Sequence, residues 1–175
     1  MTKWTVDAAH SNIGFSVRHM MVSNVKGSFT GFEGSVNGNP ESLNEASIHF
    51  EIDVNTINTN NNDRDNHLRS EDFFAAETYP KITFDSTEIV KTGNDKFDVT
   101  GDLTVKDVTK KTTFNVVRTG SGKNPWGVDV VGFETETKIS RKEYGLTWNQ
   151  ALETGGVLVG DDIKITVEVQ VNPAQ

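Results

Sequence analysis

From Asp161 to Val171 the chain alternates without a break. Ile163, Ile165, Val167, Val169 and Val171 fall on one side of an extended backbone, and Asp162, Lys164, Thr166, Glu168 and Gln170 on the other. A period of two places these sets on opposite faces of a strand, one meeting an apolar interior and the other water. The apolar set is wholly β-branched, which suits a pleated sheet. A lone strand of this kind is unstable, so it needs neighbours on its edges. What sheet it completes is the question put to the rest of the chain.

The same texture recurs in order. Trp4-Thr5-Val6 reads as a short edge segment, and Ile13, Phe15 and Val17 alternate with polar residues in a strand that ends at His19. Val25 to Val36 is a long strand with Gly27, Gly31 and Gly34 inside it. Phe29 and Phe32 are three apart, so the alternation slips near Gly31, as at a bulge where a sheet curls. Asn37-Gly38-Asn39-Pro40 is a turn, and Ala46, Ile48, Phe50, Ile52 and Val54 form another single-faced strand. Residues 55–80 break the pattern. Asn62 with Asp65 opens a helix running to about Arg69, followed by a turn carrying Phe73 and Phe74. This predicts a short helical excursion around residues 60–76, laid over one end of the sheet with both aromatics pointing back.

Strands then resume through Ile82 and Phe84, then Phe97, Val99, Leu103 and Val105, then Phe114 and Val116, and then Val128 to Ile139. Ser140 to Gly145 reads as a helical turn, and a glycine-rich loop from Gly155-Gly156 to Gly160 delivers the closing strand. About eight strands on short connections, each apolar on one face, predict an all-β single domain over residues 1–175, an antiparallel barrel or sandwich.

Charge and cysteine content narrow the function. A net charge of −8 argues against nucleic acid and anionic membrane surfaces, which need a basic footprint. With no cysteine there is neither a disulfide framework nor a thiol nucleophile. Met1 leads straight into strand pattern, and no run reaches transmembrane length, so a cytoplasmic protein without stable membrane insertion is expected.

Five segments together resemble the YceI-like family of polyisoprenoid-binding or lipid-binding proteins. They are Asp7 to His19 with Val25 to Phe29, Arg64 to Phe74 with Tyr79 to Phe84, Gly101 to Lys110, Ser140 to Gly145, and Val159-Gly160-Asp161. Asp107 stands where the family pattern leads one to expect glycine, a change a turn accepts. The resemblance implies an eight-stranded antiparallel lipocalin-like barrel, often dimeric, with a long isoprenoid chain in its lumen.

Eight strands is the size at which a barrel is either filled by its own side chains or holds one small ligand. Any single inward Phe, Ile or Val is ordinary core. As a set, Phe15, Val17, Phe29, Ile48, Phe50, Phe73, Phe74, Phe84, Phe97, Leu103, Phe114, Ile165 and Val167 would wall an apolar tunnel. At roughly 0.8 kcal/mol per buried methylene, about twenty tail carbons would gain some 16 kcal/mol before ordering costs. His19 shares inward parity with Phe15 and Val17, so it and Arg18 are candidates for a polar head group at the mouth, as is Arg118 on the Phe114 face. A structural histidine at a strand end is the competing reading of His19. Arg141 is explained equally well by a buried ion pair.

Asp63 to His67 begins like a calcium loop. Leu68 then replaces the turn glycine and Phe74 the bidentate glutamate, so no metal and no cofactor is expected. The sequence reading is a non-enzymatic carrier of a prenyl quinone precursor or prenyl phosphate. Three readings compete with it: a fatty acid or fatty amide carrier, an enzyme using His19 on a prenyl lipid, and a filled barrel with no lipid site.

Overall fold

The computed structural model describes residues 2–20, 22–149 and 159–174. Its strands are β1 (Lys3–Val6), β2 (Asn12–His19), β3 (Ser23–Phe29), β4 (Phe32–Asn37), β5 (Ser47–Asp53), β6 (Ile57–Asn58), β7 (Lys81–Gly93), β8 (Lys96–Val105), β9 (Val108–Lys123), β10 (Asp129–Ser140) and β11 (Val159–Pro173). Among the described residues one α-helix, α1 (Asn62–Arg69), interrupts them. All pairings are antiparallel and join one sheet.

Three of the barrel's eight staves are broken in two: β1 with β2, β3 with β4, and β5 with β6. The breaks are built by short polar side chains. Asp7 accepts from the Ala9 amide at 3.1 Å and holds His10 Nδ1 at 2.8 Å, turning the chain between β1 and β2. Between the next two staves, the Gly31 amide donates to Thr56 Oγ1 at 2.9 Å, and Thr56 Oγ1 donates to the Asp53 carbonyl at 2.6 Å. Neighbouring bends are thereby stitched at one level, and the sheet turns a corner there.

β1 is not the edge expected from sequence. It pairs with β4 on one side and with β11 on the other, Val6 facing Val171, and this closes the barrel. The reason lies in the length of β11. Its first part takes β2 as partner, Ile163 facing Val17, and its last residues remain free for β1. The alternating stretch Ile163–Val171 is thus paired with β10 along its whole length and with β2 or β1 on the other edge.

Glycines admit the large rings that face inward. A Cβ on Gly27 would lie 2.5 Å from Cζ of Phe15, so only glycine lets that ring lie flat on β3. Opposite ends of the barrel differ. Leu43, in a 3-10 turn between β4 and β5, and Phe97 are almost fully buried at one end. The other end carries α1, which starts at Asn61, whose side chain accepts from the Arg64 amide at 3.1 Å. The helix lies within the excursion predicted from sequence, and the turns after it continue to Tyr79, whose amide donates to the Ala75 carbonyl. Asp65, buried, accepts from the Thr59 amide at 2.9 Å and from its hydroxyl at 2.5 Å, anchoring α1 to the end of β6. The glycine-rich stretch around Gly155-Gly156 lies outside the described residues.

One pairing is incomplete. β9 and β10 pair from Lys123 and Asp129 up to Val116 and Thr135, with a one-residue register shift between Gly132 and Phe133, and no further. Thr135 Oγ1 donates to the Asn115 carbonyl at 2.7 Å, where the next ladder bond would fall. Beyond it β9 stays with β8 and β10 with β11, so the wall parts towards the helix end.

Candidate functional site

The inward faces leave between them an elongated cavity of about 250 Å3. Its wall on β11 runs from Val159 to Val171. At about 3.3 Å per residue and a strand tilt near 40°, the stretch from Ile163 to Val171 alone spans roughly 20 Å of barrel axis. The shape suits a chain rather than a compact ligand.

Most residues expected to wall a tunnel are on this wall. Phe15 and Val17 reach it from β2, Phe29 from β3, Ile48 and Phe50 from β5, and Phe84 from β7. Leu103 reaches it from β8, Phe114 from β9, and Ile165 and Val167 from β11. Phe73 and Phe74 cover the helix end, as their place in the excursion implied. Phe97 is the exception: it points inward and is only 2% exposed, but it packs in the closed end below the cavity.

The rings grip one another as well as the space. Phe15 packs tilted on Phe29 at 5.5 Å between centroids, and Phe84 meets Phe114 edge-on at 5.1 Å. Over the helix end, Phe73, His67 and Trp148 form a cluster with centroid separations of 4.7–5.4 Å. His67 Nε2 is tied to Asp72 at 2.9 Å. Such contacts add stability beyond buried area and hold the cap as one unit.

None of the three polar candidates from sequence lies on the cavity wall. Val17 is the last cavity residue of β2. His19, two residues on, is half-buried beside the β2–β3 hairpin with Ser23 as its register partner. Arg18 is exposed on the opposite face. Arg118 is at the far end, where its guanidinium meets Asp95 through Nε at 2.8 Å and Glu41 through Nη1 at 3.3 Å. Parity shows which way a side chain points but not how far along the axis the cavity reaches.

The polar residues on the wall are Ser35, Thr83, Glu134 and Thr135 from the strands, and Arg141 and Tyr144 from the 3-10 turn after β10. Arg141 is 2% exposed, and its partners are carbonyls rather than the carboxylate expected of a buried ion pair. It donates to Gly160 at 2.7 Å, Leu146 at 2.5 Å, Trp148 at 2.9 Å and Val159 at 3.3 Å. Burial pushes its pKa down and the nearby Asp161 opposes this. The guanidinium ties the segment after β10 to the start of β11. Tyr144 exchanges a hydrogen bond with Thr112 of β9 at 3.0 Å, and burial raises its phenol pKa, which keeps the proton on the oxygen at neutral pH. No group of three potential metal ligands occurs among the described residues, and no helix among them is long and apolar enough to cross a membrane.

The pattern of the YceI-like domain matches residues 4–171. The chain belongs to the YceI-like family. Among YceI-like relatives, a UPF0312 protein of Staphylococcus aureus (strain bovine RF122 / ET3-1) is 42% identical over 171 residues, 97% of each chain. Among solved structures, BcnA of Burkholderia cenocepacia superimposes with a TM-score of 0.82 at 25% identity, covering 94% of this chain and 98% of that one. A polyisoprenoid binding domain from Saccharophagus degradans, implicated in plant cell wall breakdown, superimposes with a TM-score of 0.70 over 99% of this YceI-like chain and 100% of that one. At 15% identity that likeness is one of fold.

Several wall residues escaped the sequence reading. Leu43, Ile57 and Leu68 lie on short or helical elements where no period-two signal exists, and Tyr144 follows a strand whose alternation has already ended. Ile139 did carry a signal, since it shares inward parity with Phe133 on β10.

Proposed function

We propose that this YceI-like protein is a non-enzymatic carrier whose barrel encloses the tail of a long isoprenoid lipid, a prenyl quinone precursor or prenyl phosphate. The observation that carries this is the cavity itself: some 20 Å of axis, walled almost throughout by Phe, Ile, Leu and Val. An apolar tail gains free energy for every carbon it takes from water and asks nothing of the wall in return but shape. The fold shared with a polyisoprenoid binding domain supports the same reading. An enzyme using His19 as acid/base has its catalyst outside the cavity, and Arg141 spends its donors on backbone carbonyls.

The test is a titration series with geraniol, farnesol and geranylgeraniol, followed by intrinsic tryptophan fluorescence, with Trp148→Phe as the control that isolates the signal of the cap from those of Trp4 and Trp126. Affinity is expected to rise by about tenfold or more with each isoprene unit, since five buried carbons gain several kcal/mol before ordering costs. An affinity that stays flat along the series contradicts the reading. Tighter binding of palmitate than of geranylgeraniol would favour a fatty acid carrier.

A further inference from the structure

The parted wall between β9 and β10 has a chemical character of its own. On the inside it opens beside Phe114, Thr135, Ile139 and Tyr144, all on the cavity wall. On the outside lies a second recess of about 300 Å3, and Ile139 and Tyr144 line both. If the register of β9 and β10 ran on, Lys138 would face Thr113 and Ser140 would face Lys111. The unpaired stretch up to Ile139 covers about four residues, or roughly 13 Å of strand. An unclosed ladder of that length inside a barrel is costly, because the barrel otherwise removes every edge.

The recess is basic on an acidic protein. Lys110 and Lys111 stand on one lip and Lys138 on the other, with hydroxyls of Thr112, Thr137 and Tyr144 among them. The acidic group in its lining is Glu143. Nearby, Asp102 of β8 faces Lys111 of β9, Glu136 is held by Lys164 at 2.9 Å, and Asp161 accepts from the Ser140 hydroxyl at 2.8 Å. Within the lining itself three lysines stand against one glutamate, with Asp102 and Asp161 at its rim, so on a chain of net charge −8 the recess offers ammonium donors where the apolar lumen meets water. The Tyr144–Thr112 hydrogen bond bridges the two lips.

We propose that this seam is a side portal through which the lipid's polar end leaves the lumen, and that Lys110, Lys111 and Lys138 bind it as a phosphate or diphosphate ester. The proposal rests on the reading of the cavity as a prenyl site and selects the phosphorylated prenyl lipid among its occupants. The chemistry is that of ammonium donors on phosphate oxygens, charge-assisted and, at exposed lysines, screened by salt. The tail lies in the barrel, the ester bond passes between Thr112 and Ile139, and Tyr144 moves aside for it.

Calorimetric titration of the full chain with farnesyl diphosphate, farnesol and inorganic diphosphate tests this, for the wild type and for the triple variant Lys110→Gln, Lys111→Gln, Lys138→Gln. All three lysines are exposed, so the fold should survive, as circular dichroism would verify. The wild type should prefer farnesyl diphosphate to farnesol by about tenfold or more, less so at high salt. In the triple variant that preference should vanish while farnesol binding is unchanged. A control with the same charge change, Lys3→Gln, Lys26→Gln, Lys91→Gln, should keep the preference. Equal loss for both farnesyl ligands, a preference that survives the seam variant, or inorganic diphosphate binding as tightly as the prenyl ester would each overturn the portal. Farnesol binding with no lysine-dependent preference sinks the portal alone, whereas no binding of either farnesyl ligand sinks the cavity reading and the portal with it.

Discussion

At the scale of single residues, the structure turns on polar groups placed where water cannot reach. Arg141 has its guanidinium on four backbone carbonyls and is 2% exposed. Arg141→Ala strands those carbonyls and leaves a void. It should lower stability by about 3 kcal/mol or more in urea unfolding, with Arg141→Lys recovering only part because ammonium lacks the planar fork. His49 on the outer face of β5 gives a pH signature. Its ring is held more basic than the ordinary 6.5 chiefly by the bond its Nδ1 donates to Asp85 at 2.5 Å, against a smaller opposing effect of burial and with help from Glu51. Because the folded value is raised, its stabilising contribution is complete below the unfolded value and is lost as pH climbs through the folded one. The ring is 42% exposed, so the effect should stay below about 1 kcal/mol. Thermal unfolding of His49→Gln should match the wild type at alkaline pH and fall below it at mildly acidic pH. An equal gap at both ends would contradict the assignment.

At the scale of elements, the barrel's order follows from alternation and its departures from polar punctuation. The strands of residues 81–140 were legible because inward Phe, Val and Leu recur at period two, and the slip between Phe29 and Phe32 marked the break between β3 and β4. The closing role of β1 was not, since four residues carry too little pattern to show that both edges are taken. Nor was the seam: β9 and β10 alternate well on either side of it, and a missing ladder leaves no trace in side-chain periodicity. Helix α1 was placed from its polar start, but the residue that fixes it to the barrel is Asp65, an acid whose burial nothing in the sequence declares. Asp65→Ala leaves the Thr59 amide and hydroxyl without their acceptor and should cost about 2–3 kcal/mol. Hydrogen exchange should quicken at Thr59 and through α1 while β7 to β11 stay protected. Uniform loss of protection instead would mean that the helix is not a separately anchored cap.

At the scale of the whole molecule, the question is whether the lumen is full or hollow, and composition alone cannot answer it. Inward aromatics look the same in a plugged barrel and in a tunnel; Phe97 and Phe114 share that face, yet one seals the closed end and the other borders the cavity. What decides is the geometry of eight staves bent at three places, which holds opposing rings apart over most of the axis. The head-group candidates read from parity fell outside for the same reason, and the basic lips of the seam were hidden among ordinary surface lysines. The most direct measurement is organic extraction of the freshly purified protein with mass analysis of what is released, set beside native mass of the intact complex. A prenyl lipid in near-stoichiometric amount, lost together with its added mass on extraction, is the expected result. Protein whose native mass equals that of the bare chain, and which takes up no prenyl lipid afterwards, would contradict a hollow, lipid-carrying barrel.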